Sequence, residues 1–157
     1  MRNIRAFEIY DDDDGRTLCV FVFPTTRCLN VFARRTGSFN HYFDRGASLG
    51  AFYMSYVHDV RKPGTYGCVA FAEDRVGGGI VAHEMFHAVH DLFKSRYPSA
   101  RYRDRRDIEE LQAIELEGLV RSFWDWWYKD CPKRYRVKFT ADGKRHMLLP
   151  ANDAAKP

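Results

Sequence analysis

A chain of 157 residues is long enough for one domain with its own core and too short for two independent ones. Hydrophobic residues make up 45% of it and aromatic residues 15%, a composition that excludes a disordered chain. The net charge of +4 is mild and does not by itself indicate an acidic partner.

Nothing in the sequence is typical of export or of membrane insertion. No run approaches the roughly 20 apolar residues of a membrane span, and the N-terminal segment MRNIRAFEIYDDDDG lacks the apolar stretch of a secretory signal. The cysteines are widely spaced and form no C-x-x-C pair: Cys19, Cys28, Cys68 and Cys131. We therefore expect reduced thiols in an intracellular, cytoplasmic protein without a membrane partner.

The N-terminal third predicts strands. Residues 4–10 and 17–24 are rich in β-branched and aromatic residues, and the Asp-Gly pair that ends DDDDG suits a hairpin turn between them. These aspartates lack the spaced ligands and central glycine of a calcium loop, so we interpret them as a plain turn. Residues 28–35 predict a third strand, and residues 39–45 a short helix that ends at Gly46.

The middle of the chain predicts two more strands followed by a helix. Residues 51–57 and 67–74 form the expected strand pair, and a Pro-Gly turn signal lies between them. After three consecutive glycines, a helix is expected from about Ile80 to Ser95, because Pro98 limits it.

The last third predicts a second long helix and a terminal hairpin. The helix is expected over 107–129 with Asp107 as its N-cap. An Asp-Gly turn separates the two expected hairpin strands, 134–139 and 144–149. With no internal repeat or linker, residues 1–150 are expected to form a single domain, followed by a loose tail over 151–157.

The first long helix is amphipathic, because residues three, four and seven apart share one face of a helix. One stripe is polar and contains His83, His87, His90 and Lys94, with Glu84 and Asp91 at its edge. The opposite stripe is apolar and contains Val81, Met85, Val89 and Leu92. By itself this pattern also describes an ordinary surface helix.

The spacing His83-Glu84-x-x-His87 indicates more than a polar face. Two imidazoles one turn apart can both reach a single zinc ion. The intervening glutamate is rotated by about 100° from His83, so it can poise a metal-bound water instead of binding the metal. Here the sequence resembles the zincin metallopeptidases, whose signature is H-E-x-x-H on a helix.

A catalytic zinc site takes three protein ligands and leaves one position open for water. The metzincin branch of the zincins continues its motif with a glycine and a third histidine, and His90 and Phe93 occupy those positions here. That branch is therefore excluded. About 10.5 Å of helix rise also separates His90 from His83, too far for both to bind one ion.

The gluzincin branch takes its third ligand from a glutamate on a later helix, often in an E-x-x-A context. Glu110 matches that context, since Ala113 follows three residues later. The helical wheel instead places Glu109 on the more apolar side, and Glu117 is a third alternative. The resemblance therefore implies His83, His87 and Glu110 as ligands of Zn²⁺, with Glu84 as the general base.

The resemblance implies an α+β, zincin-like fold. A mainly antiparallel, twisted sheet is expected to pack against the active-site helix, with the second long helix carrying the third ligand. Strand 67–74 is expected at the edge of the sheet, where an extended peptide can pair with it. His90 and Asp91 are candidates to contact a metal ligand or the substrate.

The resemblance implies a zinc metallopeptidase that cuts one or a few protein substrates. Two alternatives stay open at this point. The chain is a non-catalytic protein that zinc stabilises for binding, or it is a zinc protease associated with nucleic acid through its basic stretches, 94–106 and 133–145. Oligomeric state is not indicated by the sequence.

Overall fold

The computed structural model describes residues 4–11, 15–37, 39, 43–44, 46–56, 64–98, 105–129, 134–139 and 146–150. For residues 11, 105–107, 134–139 and 146–150 the description is limited to the backbone. Most of the expected short helix over 39–45 lies outside these residues, and the expected tail over 151–157 lies wholly outside them.

The described chain is an α+β fold with a mixed sheet. Its strands are β1 (Ile4–Asp11), β2 (Arg16–Phe23), β3 (Ala51–Ser55), β4 (Thr65–Ala72), β5 (Arg134–Phe139) and β6 (His146–Pro150). Its helices are α1 (Thr26–Thr36), α2 (Gly78–Arg96) and α3 (Arg105–Tyr128), with a short 3-10 turn at Glu73–Arg75. The strand order is β3-β4-β2-β1-β5-β6, and every pair is antiparallel except β2 with β4. The predicted strand pairs, both long helices and the terminal hairpin are confirmed.

The predicted third strand is wrong, because residues 28–35 lie within α1. Thr25 caps this helix by accepting a hydrogen bond from the Cys28 amide, and Gly37 ends it with φ 74°. Leu29, Phe32 and Ala33 recur at helical spacing and are buried against the sheet. Capping and this 3.6-residue period outweigh the strand propensity of the apolar residues.

The predicted position of the strand over 67–74 is also wrong. Strand β4 lies inside the sheet between β2 and β3, so β3 is the edge strand. All but one of the residues of β4 are buried, as expected for a strand with a neighbour on each side and a helix over each face.

The second long helix begins at Arg105, two residues before the expected start, so Asp107 is inside the helix and is not its N-cap. Its aromatic C-terminal turns pack mostly against the core. Phe123 is fully buried, Trp124, Trp126 and Trp127 are half-buried against the core, and Tyr128 is exposed. No helix in the described residues is long and apolar enough to cross a membrane.

The two faces of the sheet carry separate cores. Helices α2 and α3 pack on one face, over residues such as Val20, Val69 and Phe71. Helix α1 packs on the other face, over residues that alternate with these along the strands. The first of these layers holds α2 against β3 and β4, because each Å² of buried apolar surface contributes about 25 cal/mol to stability.

Gly67 leaves space for the ring of Tyr53 on the α2 side of the sheet. A Cβ at this position would lie 2.4 Å from Tyr53 Cε2 and 2.9 Å from the backbone oxygen of Met54. The Tyr53 side chain therefore crosses β4 where β4 has no side chain of its own.

We expect Gly67→Ala to destabilise the protein by about 1–3 kcal/mol, because the added methyl overpacks against a ring and against backbone that cannot move aside. Urea unfolding measures the loss. Gly118→Ala is the matched control: Gly118 is exposed within α3, and a Cβ added there would have nothing within 4 Å. This change should stabilise the helix by up to about 1 kcal/mol. Equal effects of the two changes would contradict the role given to Gly67.

Candidate metal centre

Helix α2 places its histidines in solvent, as the sequence predicts. The helix begins at Gly78, two residues after the 3-10 turn that follows β4, and Gly77 precedes it in an extended conformation. Val81, Met85, Val89 and Leu92 are buried against the sheet, and His83, His87, His90 and Lys94 are exposed. The predicted amphipathic helix is confirmed.

His83 and His87 form a close pair on the exposed face. Their Nε2 atoms are 3.2 Å apart, and their rings are nearly perpendicular, at 88°. Two nitrogen ligands of one tetrahedral zinc ion lie about 3.3–3.4 Å apart, given zinc–nitrogen bonds of about 2.0–2.1 Å. The observed 3.2 Å, a hydrogen-bond distance between the two rings, is close to this separation.

Burial favours the neutral form of His87. Partial burial lowers the pKa of its imidazole first, and the nearby His83 and His90 lower it further. A neutral imidazole has a free lone pair, which is the form that binds a metal.

Glu84 lies beside this pair but points inward. Its side chain is only 9% exposed, which makes it the buried charged residue among those that the structure describes. Burial raises the pKa of its carboxyl, while His83 and the backbone amide of Tyr53 act in the opposite direction. A carboxyl with a raised pKa next to two imidazoles is suited to accept and return a proton.

The Tyr53 amide, which acts on the pKa of Glu84, belongs to the free edge of the sheet. The Tyr56 amide donates to the Tyr66 carbonyl at 2.9 Å, which fixes the alternation of hydrogen bonds between β3 and β4. Every second residue of β3 therefore turns its backbone N–H and C=O away from β4, namely Ala51, Tyr53 and Ser55. Glu84 thus lies where α2 meets the edge of the sheet.

We expect Glu84→Gln to stabilise the metal-free protein more at pH 7 than at pH 4. The native carboxyl has a raised pKa, so the folded state binds its proton more tightly than the unfolded state, whose pKa is near 4.3. The free energy of unfolding of the native protein therefore falls as the pH rises from the pKa of the unfolded state towards that of the folded state. Glutamine does not titrate, so the variant loses no stability in this way. Urea unfolding of both proteins with a chelator at the two pH values measures this. A gain that is the same at pH 4 and pH 7 would contradict it.

The three glutamates considered as the third ligand are not grouped with the histidine pair. Glu109, Glu110 and Glu117 are all exposed on α3, and Glu117 forms an ion pair with Arg121. Glu115, on the same helix, is half-buried. Within the described part of the chain, no three His, Cys, Asp or Glu side chains are arranged to hold a metal ion.

The two residues expected beside the ligands have different surroundings. His90 is exposed, and its ring stacks on that of Phe86, with the ring centroids 6.1 Å apart. Asp91 accepts a hydrogen bond from the Tyr53 hydroxyl at 3.2 Å. Sequence reasoning missed Tyr53, since nothing in a five-residue strand indicates which helix its side chain will meet.

The expected nucleic-acid contacts rest mostly on side chains outside the described residues. Of the first basic stretch, Lys94 is exposed and the Arg96 guanidinium lies 5.7 Å from the ring of Phe93.

None of the three described cysteines, Cys19, Cys28 and Cys68, forms a disulfide.

Comparison with known proteins adds no relative. No family model, no curated protein and no solved structure matches this chain.

Proposed function

We propose that this chain is an intracellular zinc-dependent metallopeptidase of gluzincin type with a zincin-like fold. The observation that carries the proposal is the 3.2 Å separation of the His83 and His87 Nε2 atoms on a helix whose intervening glutamate is buried. An ordinary polar helix face requires neither the close imidazole pair nor the buried carboxyl.

The donor set fits zinc in its chemistry, because imidazole nitrogens and one carboxylate oxygen are the ligands of many catalytic zinc sites. His83 and His87 would supply the nitrogens, and Glu110, which the structure does not group with this pair, would supply the oxygen. A zinc ion held there would supply Lewis-acid chemistry towards a peptide carbonyl and towards water. Glu84 accepts a proton from the attacking water and passes it to the leaving amine.

The edge strand β3 is where the substrate chain lies in this proposal. An extended peptide can pair with a free strand edge through its backbone, independently of its sequence. β3 has such an edge, and Glu84 meets it at Tyr53. A peptide paired there passes directly beside the general base.

We expect Glu110→Gln to lower zinc affinity by at least about 10-fold, as loss of a ligand should cost no less than loss of a residue that supports one. Competition with a fluorescent chelator measures the affinity. Glu109→Gln and Glu117→Gln are matched controls on the same exposed helix and should keep native affinity. A lower zinc affinity in one of the two controls instead would identify that glutamate as the third ligand. Native zinc affinity in all three variants would show that none of these glutamates binds the metal with the two histidines.

Cleavage mapping tests the function directly. Lysate of the host is incubated with three samples of the purified protein: one loaded with zinc, one treated with a chelator, and one treated with a chelator and then reloaded with zinc. Mass spectrometry identifies the new N-termini that each sample produces. We expect one or a few proteins to be cut at defined sites, with the cuts lost on chelation and restored by zinc. Zinc bound at a 1:1 ratio without any cleavage would instead favour the zinc-stabilised binding protein.

A further inference from the structure

Helix α2 and the edge strand β3 run side by side in the same direction. A Cβ added at Gly50, the residue before β3, would lie 3.9 Å from Ile80 Cδ1, close to the start of α2. Further along both elements, the Tyr53 hydroxyl donates to Asp91 Oδ2 at 3.2 Å. The free edge of β3 and the exposed face of α2 therefore border one surface.

The acidic side chains next to this surface are all engaged. The segment from the 3-10 turn to the end of α2 contains four of them: Glu73, Asp74, Glu84 and Asp91. Glu73 forms an ion pair with Arg5 at 2.7 Å. Asp74 Oδ1 accepts hydrogen bonds from the Thr26 amide at 2.9 Å and from the Thr26 hydroxyl at 2.8 Å. Glu84 is buried, and Asp91 accepts the bond from Tyr53.

The basic side chains at the two ends of the surface are exposed. Arg75 lies at the start of β3, because its Cβ would be 3.3 Å from a Cβ added at Gly50. Lys94 lies near the end of α2. Neither side chain forms an ion pair with a residue that the structure describes. Between them, the exposed charged or titratable side chains of α2 are the three histidines.

The exposed glutamates of α3 belong to the other side of this layer. The Phe123 and Trp126 rings of α3 pack on Phe7 of β1, which lies three places from β3 in the strand order. Helix α2 instead contacts β3 and β4. The C-terminal half of α3 therefore packs across α2 from the free edge.

The spacing of the two cations fits a short extended peptide. From Gly78 to Lys94, α2 rises by about 24 Å, at 1.5 Å per residue. An extended peptide of seven residues covers about 23 Å. Because β3 has five residues, a peptide paired with all of it places about one further residue at each end within reach of Arg75 and Lys94.

We propose that the segment that pairs with β3 is acidic: about five uncharged residues in extended conformation, flanked by Asp or Glu side chains that meet Arg75 and Lys94. This inference rests on the proposed function, because it names the substrate class of the same site. Opposite charges at both ends attract such a segment to the edge and set its register, and a segment with basic ends is repelled.

Three labelled peptides test the charge preference. They share five uncharged Thr and Val residues, have blocked termini and carry Glu, Gln or Lys at both ends. Fluorescence anisotropy measures binding to the native protein in the presence of a chelator, so that no peptide is cleaved and no carboxylate binds zinc. We expect the Lys peptide to bind at least about 10-fold more weakly than the Glu peptide, with the Gln peptide between them. Salt should weaken binding of the Glu peptide and leave that of the Gln peptide unchanged.

Two variants test the assignment of the cations. Arg75→Gln and Lys94→Gln should each weaken binding of the Glu peptide by about threefold, the size expected for one exposed ion pair, and leave binding of the Gln peptide unchanged. Arg121→Gln and Lys129→Gln are matched controls, because they remove the same charges from α3 and should keep native affinity.

Absence of binding by all three peptides, or equal affinity for the Glu and Lys peptides, would overturn the inference. Native affinity of both Arg75→Gln and Lys94→Gln for the Glu peptide would also overturn it. Displacement of the Glu peptide by an equimolar DNA duplex of arbitrary sequence would do the same, since nucleic acid would then be the occupant. Equal cleavage of all three peptides by the zinc-loaded protein would uphold the proposed function and refute the inference. Preferred binding of the Glu peptide, without cleavage of any peptide or lysate protein, would uphold the acidic docking segment and refute the proposed function instead.

Discussion

Glu84→Gln should abolish peptide hydrolysis while zinc stays bound. Glutamine has the same shape as glutamate but cannot accept the proton of the attacking water, and general base catalysis contributes about 10²–10⁴-fold to rate. The side chain is buried against the Tyr53 amide, so an isosteric amide can occupy the same space. We therefore expect kcat to fall by at least about 100-fold, measured on a peptide derived from a mapped cleavage site.

Three measurements separate this loss from a folding defect. The variant should bind zinc at the native 1:1 ratio, keep its circular dichroism spectrum and bind the uncleaved peptide with native affinity. Because the buried carboxyl is unfavourable at neutral pH in the metal-free state, the variant should also unfold at no lower urea concentration than the native protein. Retained cleavage at a native rate would show that Glu84 is not the base.

His83→Ala or His87→Ala should each abolish stable zinc binding. Replacing a residue that merely supports a ligand typically costs 10–100-fold in metal affinity, so we expect loss of a direct ligand to cost more than about 100-fold. The paired geometry gives the reason: with either ring gone, the remaining Nε2 has no partner at 3.2 Å. Isothermal titration with zinc measures the affinity, and activity should fall in proportion to the bound metal.

His90→Ala is the control for this pair. It removes an imidazole from the same exposed face of α2 but leaves both Nε2 atoms of the pair in place. Its zinc affinity should stay within about threefold of native, since His90 stacks on Phe86 and contributes no ligand. A loss as large as that of His87→Ala would place His90 in the metal centre and would refute the proposed ligand set.

Local patterns predicted the elements whose signal lies within one segment. The apolar stripe and the glycines before Ile80 indicated the position of α2, and the turn residues indicated both hairpins. The same kind of signal was present for α1, since Thr25 and Gly37 bracket it, but the run of apolar residues between them favoured a strand. That error was avoidable from capping alone.

Other features could not be predicted, because they depend on segments far apart in the chain. β4 pairs in parallel with β2 and antiparallel with β3, and no property of residues 65–72 indicates which strand lies outermost. The position of Glu84 beside the free edge of the sheet follows from that order, since Tyr53 belongs to the edge strand. The third ligand depends likewise on how α3 lies against α2, which the glutamate spacing does not determine.

The position of Glu84 beside Tyr53 also bears on whether the free edge of the sheet can pair with a second copy. An exposed strand edge offers its unpaired backbone groups to the edge of a second copy, which is a common route to aggregation. β3 is five residues long, and only three of its residues face outward. The middle one, Tyr53, has the buried Glu84 carboxyl near its amide. Any strand that pairs along this edge, whether a second copy or the proposed substrate, must therefore pass this carboxyl and finds only a short strand to pair with.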